Sequence, residues 1–157
     1  KLKLTSFDLV ALTHDVVEML EMKASKSRIK IQINEPTQNV MVEGDRDKIR
    51  QVLTNIIDNS LRYGKPGKGR TKISFFDMDE NILTEITDNG IGIEPSEISR
   101  VFERFYRTGR GRATTRKGKG LGLSIVKHIV EAHGQTVHVR SAVEVGTTFG
   151  FTLKKSP

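Results

Sequence analysis

Two asparagines and an arginine, Asn55, Asn59 and Arg62, fall at i, i+4 and i+7 in "DKIRQVLTNIIDNSLRY". On a helix that spacing stacks them along one line. A carboxamide oxygen is a neutral, hard ligand of the kind Mg²⁺ accepts when phosphates supply the charge. An arginine one turn further on has the donor fork to reach the same phosphates. The same residues would also make an ordinary polar face, so the line gains meaning only from its neighbours.

A second group is "TDNGIGI", where Asp88 closes a strand pattern just before Gly90 and Gly92. Asn89-Gly90 alone signals a hairpin turn, but a second glycine two residues on fits a simple turn less well. Lacking Cβ, both glycines would let backbone lie close against a flat ligand. The Asp88 carboxylate would then accept a hydrogen bond from a heterocycle's exocyclic amine.

The third group is "KGKGLGLSIVKHIV", with Gly118, Gly120 and Gly122 alternating with Lys119 and Leu121. Each glycine costs a helix about 1 kcal/mol relative to alanine. Placed ahead of a helix, glycines expose amide donors at its positive end, where an oligophosphate is favoured. Arg104, Arg107, Arg110, Arg112, Arg116, Lys117 and Lys119 precede or join them, and no acid interrupts the run after Glu103. The segment reads as a hinged, basic lid over an anion. Leu121, Leu123, Ile125, Val126 and Ile129 then fix the helix behind it.

The elements that must hold these groups follow from periodicity. Phe7 to about Lys26 carries Leu9, Leu12, Val16, Val17, Met19 and Leu20 at mostly helical spacing, with Ser6 as cap. "RIKIQIN" and "NVMVEG" alternate as half-buried strands. Asp45 caps a long helix to about Tyr63, ended by Gly64 and Pro66; its core arc is Ile49, Val52, Leu53, Ile56, Ile57, Ser60 and Leu61. "TKISFFDM" and "NILTEITD" form two antiparallel strands around a turn at Asp77–Asn81. A short helix over Ser96–Phe102 precedes the basic segment, the glycine-led helix ends near His133–Gly134, and "TVHVRSA" and "TTFGFTL" are the last strands. The expected fold is a two-layer α/β sandwich, a mixed and mostly antiparallel sheet with helices on one face.

Composition sets the outer limits. The chain has 157 residues, enough for one domain spanning 1–157 with a real core. Hydrophobic content is 36% and charged content 29%, as in ordinary soluble domains. No apolar run approaches the roughly 20 residues that span a bilayer. With no cysteine there is no disulfide framework or thiolate chemistry. Net charge is +7, which admits nucleic acid, an anionic surface or a phosphorylated ligand. Beginning at Lys1, the sequence reads as a piece of a longer chain.

Taken in order, these segments resemble the catalytic, ATP-binding domain of two-component sensor histidine kinases, which shares the Bergerat-type fold of gyrase, MutL and the large heat-shock chaperones. "DKIRQVLTNIIDNSLRY" is similar to the asparagine box, "DNGIGI" to the first glycine box and "VFERFYR" to the phenylalanine box. "GKGLGLSIVKHIVEAHG" and "GTTFGFTL" are similar to the later glycine boxes. The resemblance implies ATP and Mg²⁺ as ligands. Asn59 would be the metal ligand, with Asn55 beside the metal or phosphates. Arg62, Arg104 and Arg107 would hold phosphate, and Phe102 and Phe105 would anchor the lid. Tyr63 would flank the adenine and Asp88 would take its amine, with Gly90, Gly92 and Ile93 around the base. Gly118, Lys119, Gly120, Leu121, Gly122 and Leu123 would line the triphosphate. Strand alternation lets only one of Thr147 and Thr148 face inward, and Thr147 is the one expected beneath the adenine.

Two departures from the family pattern matter. Relatives that hydrolyse ATP carry a glutamate base one turn before the metal asparagine; here that position is Asn55, whose amide accepts no proton at neutral pH. Transfer to a side chain is therefore expected in preference to hydrolysis, with no catalytic residue assigned within the chain. Glu144 also stands where the last box often has glycine. His14 is followed by Asp15 but by no proline within its helix, and His128, His133 and His138 have no metal-ligand partners. The phosphoacceptor is expected on dimerisation helices of the same parent protein, outside this chain, with a response regulator receiver domain downstream. The domain itself would be monomeric and cytoplasmic, the parent membrane-anchored, and nucleic acid not a partner. The alternatives are a same-fold ATPase or anti-sigma-type serine kinase, and a basic nucleic-acid-binding module. The first should lack "FERFYR", and the second should interleave aromatics with cations on a strand.

Overall fold

The computed structural model describes residues 1–65, 67–104, 106 and 122–157. In chain order the elements are β1 (Thr5–Asp8), α1 (Leu9–Ser27), β2 (Ile29–Ile33), β3 (Met41–Gly44), α2 (Arg46–Arg62), β4 (Gly69–Met78) and β5 (Asn81–Asp88). A 3₁₀ helix (Pro95–Arg100), α3 (Gly122–Ala132), β6 (Val137–Ala142) and β7 (Gly146–Lys155) complete the described chain. Seven strands form one sheet in the order β1-β3-β7-β5-β4-β2, with β6 also on β7. Only β2 against β4 is parallel. The mixed, mostly antiparallel sheet expected from the strand patterns is present, and α1, α2 and α3 share one of its faces around a single apolar cluster.

α2 follows its sequence pattern closely. Asp45 caps it through a bond from Lys48 N (3.3 Å), and its buried residues are Ile49, Val52, Leu53, Ile56, Ile57, Ser60 and Leu61. The far end of the core is pinned by His133. Its Nε2 accepts from Asp45 N (3.0 Å) while Nδ1 donates to Ile129 O (2.8 Å). The neutral ring thus joins the last turn of α3 to the cap of α2, a packing role and not a catalytic one.

Local pattern misjudged the ends of other elements. The cap of α1 is Asp8, which accepts from Ala11 N (3.0 Å), and not Ser6. Ser6 and Phe7 are instead drawn into β1 by pairing with Glu43 and Val42. Met19, counted on the apolar arc of α1, is 56% exposed, and Val17 is only half-buried. The short helix after the glycine loop is a 3₁₀ segment over Pro95–Arg100, and does not reach Phe102. Phe102 does anchor to the body, edge-on to Phe149 with ring centroids 6.0 Å apart. Phe105, Pro66 and the lid expected over 107–120 lie outside the described residues.

The register sets up the site. Thr71 pairs with Asp88, Asp88 with Thr147, and Thr147 with Ser141, a polar row across β4, β5, β7 and β6. The row faces the helices, because the Thr71 hydroxyl donates to Ser60 Oγ of α2 (2.9 Å). The neighbouring row, with Thr87 and Thr148 joined at 2.9 Å, faces the opposite side. Thr147 is therefore the inward-facing threonine, as expected.

α1 closes through Arg28 at φ 55, the left-handed region, with its N–H on Ala24 O and Ser25 O. A side chain there is strained where glycine is not. Arg28→Gly is expected to raise stability by about 0.5–1 kcal/mol, read as a higher urea midpoint at unchanged slope.

Candidate functional site

The polar row ends beneath the last turn of α2, and the loop 89–93 closes over it. Asp88 Oδ1 accepts from Gly90 N (2.8 Å) and Thr147 N (3.2 Å), which fixes the carboxyl plane. Its Oδ2 has no hydrogen bond among the described residues. Burial pushes the Asp88 carboxyl up to about 6, and the two amide bonds only partly counter that. This is a nearly dry carboxyl with one oxygen held and one on offer.

The glycines around it are needed where the protein's own backbone comes close. A Cβ on Gly90 would lie 2.1 Å from Tyr63 O, and one on Gly92 would lie 2.3 Å from Ala142 O. At Gly146, φ is 146° and a Cβ would meet Asp88 O at 1.9 Å. The space gained at Gly90 and Gly92 is taken by the protein's own backbone, so both are required for the loop to seat between α2 and β6. Ile91 N completes that seat by donating to Tyr63 O (3.1 Å). Glu144, in the turn before β7, sits at φ 65, the conformation a glycine there would favour. Its N–H bonds Ile91 O (2.8 Å), so the turn is formed with glutamate in place.

The α2 side carries the other functional groups. Asn59, Arg62 and Tyr63 lie in its final turn, and Tyr63 N bonds Asn59 O. The Asn59 carboxamide makes no hydrogen bond among the described residues. Asn55, one turn earlier, is engaged: its Nδ2 donates to Gly122 O (3.1 Å) and its Oδ1 accepts from Gln51 (2.6 Å). It ties α2 to the first residue of α3. Leu123 packs half-buried against the core, Ile93 is buried and its N–H donates to Ser141 Oγ (2.8 Å). Arg104 is exposed. Arg107, Gly118, Lys119, Gly120 and Leu121 lie outside the described residues.

Asp58 was not among the residues the sequence singled out, yet it sets Arg62. Its carboxylate takes Lys23 Nζ of α1 (2.7 Å) and Arg62 Nε (2.8 Å). Burial would raise this carboxyl, but the two cations outweigh it and hold it below the ordinary value. Arg62 Nη1 is left buried with no hydrogen-bond partner among the described residues. A buried guanidinium donor without a partner is costly unless a ligand meets it. That orphan donor, the free Asn59 amide and Asp88 Oδ2 together fit a ligand with an amine at one end and anionic oxygens at the other. The donor set also fits a hard divalent cation carried with phosphates.

A mixed, mostly antiparallel sheet with helices on one face, and a carboxylate at a strand end beside the last turn of a helix, define a two-layer α/β domain with a site that suits a nucleotide. The chain belongs to the histidine kinase-, DNA gyrase B- and HSP90-like ATPase family, whose sequence profile matches residues 44–157. It is 38% identical over 139 residues to the sensor histidine kinase WalK of Bacillus subtilis, covering 88% of this chain and 23% of WalK. It is 42% identical over 111 residues to the sensor protein SrrB of Staphylococcus aureus, covering 71% of this chain and 19% of SrrB. The chain thus spans about a fifth of the length of these relatives. Among solved structures, a mycobacterial sensor histidine kinase, MprB, superposes at TM-score 0.86 with 30% identity, covering 98% of this chain and 99% of that one. The nucleotide-free catalytic domain of histidine kinase ThkA gives 0.84 with 29% identity and 99% of both chains.

The raised Asp88 carboxyl predicts how binding responds to pH. Ionised, it accepts from an amine; protonated, it does not, so ATP affinity should be about tenfold lower at pH 5 than at pH 7. Stability runs the other way. The folded state holds this proton more tightly than the unfolded chain, so the Asp88 contribution weakens as pH rises from about 4 to 6. Asp88→Asn keeps the acceptor for both amides but presents an NH₂ to the amine. It should lose ATP binding at least about tenfold while unfolding at no lower urea concentration at pH 7, checked by calorimetric titration and urea melts.

Proposed function

We propose that this domain binds ATP with Mg²⁺ and presents the γ-phosphate to a histidine on a helical dimerisation segment of its parent protein. The observation that carries the reading is that Asp88 Oδ2, the Asn59 amide and Arg62 Nη1, at and beside the last turn of α2, each lack a hydrogen-bond partner among the described residues. Asp88 would accept from the adenine amine, with Thr147 next to it on the same wall and Tyr63 flanking the base. Asn59 would hold Mg²⁺, and Arg62 would meet phosphate oxygen. Bound there, the metal supplies charge neutralisation for the phosphates.

Asn55 supports transfer over hydrolysis. A side-chain amide is not a base for water, and here its two ends are taken by Gln51 and Gly122. The domain would hold ATP poised until a nucleophile is delivered, with positioning and electrostatics supplying the catalysis. His14 pairs with Glu35, and His133 is committed to the Asp45 cap. Delivery by another segment fits both facts. ThkA has been solved in complex with the response regulator TrrA, at TM-score 0.82 and 28% identity to this chain over 99% of its length. By analogy, a receiver domain would take the phosphoryl group onward, and a membrane-anchored parent would supply the signal.

Asn59→Ala is expected to abolish detectable ATP binding with the circular dichroism spectrum and urea midpoint retained. Mixing the chain with a separately made dimerisation segment from a related sensor kinase and labelled ATP should place acid-labile, base-stable label on that segment. Label appearing only as free phosphate would overturn the kinase reading in favour of an ATPase. Parent-like titration of folded Asn59→Ala would overturn the metal assignment.

A further inference from the structure

We infer that Ser141 sets the hydrogen-bond polarity of Thr147, and through it makes the base pocket select amino-purines over oxo-purines. The inference rests on the adenine reading of Asp88 and goes beyond it by naming what discriminates the base.

Protons are the scarce quantity around Ser141. Ser141 Oγ has three neighbours within hydrogen-bond distance: Ile93 N at 2.8 Å, Gly146 O at 2.9 Å and Thr147 Oγ1 at 2.8 Å. Ile93 N–H can only donate, and Gly146 C=O can only accept. The one Ser141 proton therefore goes to Gly146 O, and Ser141 accepts from Ile93. Its remaining lone pair faces Thr147, which must donate its own proton to complete the set. Ser141 is the only partner of the Thr147 hydroxyl among the described residues. With its proton committed, Thr147 Oγ1 has only lone pairs left.

The consequence lies one strand away. Thr147 and Asp88 are direct cross-strand partners on the helix-facing side, so their side chains are close neighbours. Asp88 Oδ2, ionised, is also an acceptor only. This wall of the pocket then offers two acceptors and no side-chain donor. An exocyclic amine brings two protons to such a wall, whereas a carbonyl oxygen in the same place brings lone pairs to lone pairs. A free threonine hydroxyl would relax that contrast, since it can turn its proton toward an oxo group. Ser141 removes the option, and it is held to that task from three directions by Ile93, Gly146 and its own place opposite Thr147 on β6. Ser141 is thus a positioning residue, acting through Thr147.

A purely structural role predicts something different. Losing the Ser141 bonds would loosen the loop over the base and weaken all nucleotides alike. A role in polarity changes the ratio between two nucleotides that differ at one atom.

The test is titration of the chain with ATP and with ITP, whose base carries oxygen where adenine carries the amine. For Ser141→Ala the ratio of ITP to ATP dissociation constants should fall at least about fivefold, because Thr147 regains a donor. Ser141→Thr, which keeps the hydroxyl, should restore the parent ratio. If Ser141→Ala does not fold, Thr147→Val serves in its place: it deletes one acceptor, and the ratio should again fall. A ratio unchanged in folded Ser141→Ala, or in Thr147→Val, overturns the inference. Asp88→Asn run alongside separates the two levels. If it loses ATP while the Ser141→Ala ratio stays at the parent value, only the polarity role fails; if it binds ATP as the parent does, the adenine reading fails and the inference with it.

Discussion

The site is organised around one carboxyl oxygen. Asp88 Oδ1 takes backbone N–H groups from two different segments, the loop after β5 and the first residues of β7. Through it the chain fixes how far that loop folds back and where β7 begins. The approach is close enough that Gly146 has no room for a side chain. Two amide bonds do not offset the burial of the charge here, so the carboxylate form stays unfavourable. Polar groups at functional sites are commonly left partly unsatisfied in this way, and preorganisation is the return. The plane in which Oδ2 offers its lone pairs is thereby already set.

α2 is the second fixed part. Its apolar arc is buried along its whole length, and both of its ends are tied by polar contacts to other elements. His133 holds the cap at Asp45, and the Asp58 carboxylate spans α1 and the final turn. The Asp45 carboxyl is itself lowered, first by the N–H of Lys3. Rigid-element placement of Asn59 and Arg62 follows from core packing, and the hydrogen bond from Asn55 extends that order to the start of α3.

What could be read from the sequence was whatever is local or strongly periodic. The arc of α2 and its Asp45 cap follow from spacing and cap chemistry alone. The seven strands followed from alternation, save β1, where Thr5–Asp8 is a strand only because β3 lies beside it. That is non-local pairing, and it overrode Ser6 as a cap. Alternation allows only one of Thr147 and Thr148 to face the helices without saying which; the pairing of Thr147 with Asp88 and Ser141 makes it Thr147. That Gly90 and Gly92 must lack a side chain was legible; that Tyr63 and Ala142 are what they press on was not, since those contacts come from segments distant in sequence. Asn55 engages Gly122 for the same kind of reason. Asp58 and Ser141 were missed. Asp58 had a visible signal, an acid four residues before Arg62 on a helix, and Ser141 had one in its place opposite Thr147 once β6 and β7 pair.

The shared carboxylate of Asp58 has a bearing on how α1 and α2 can move. Apolar side chains along a helix seam tolerate a slide of one turn, about 5.4 Å, because one ridge resembles the next. A half-buried acid of α2, braced by Arg62 of its own helix and met across the seam by Lys23 of α1, does not. Together with Asp15 of α1 facing Arg46 and Arg50 further along, it marks one alignment of the two helices, since a slide of a turn would part both sets of charges.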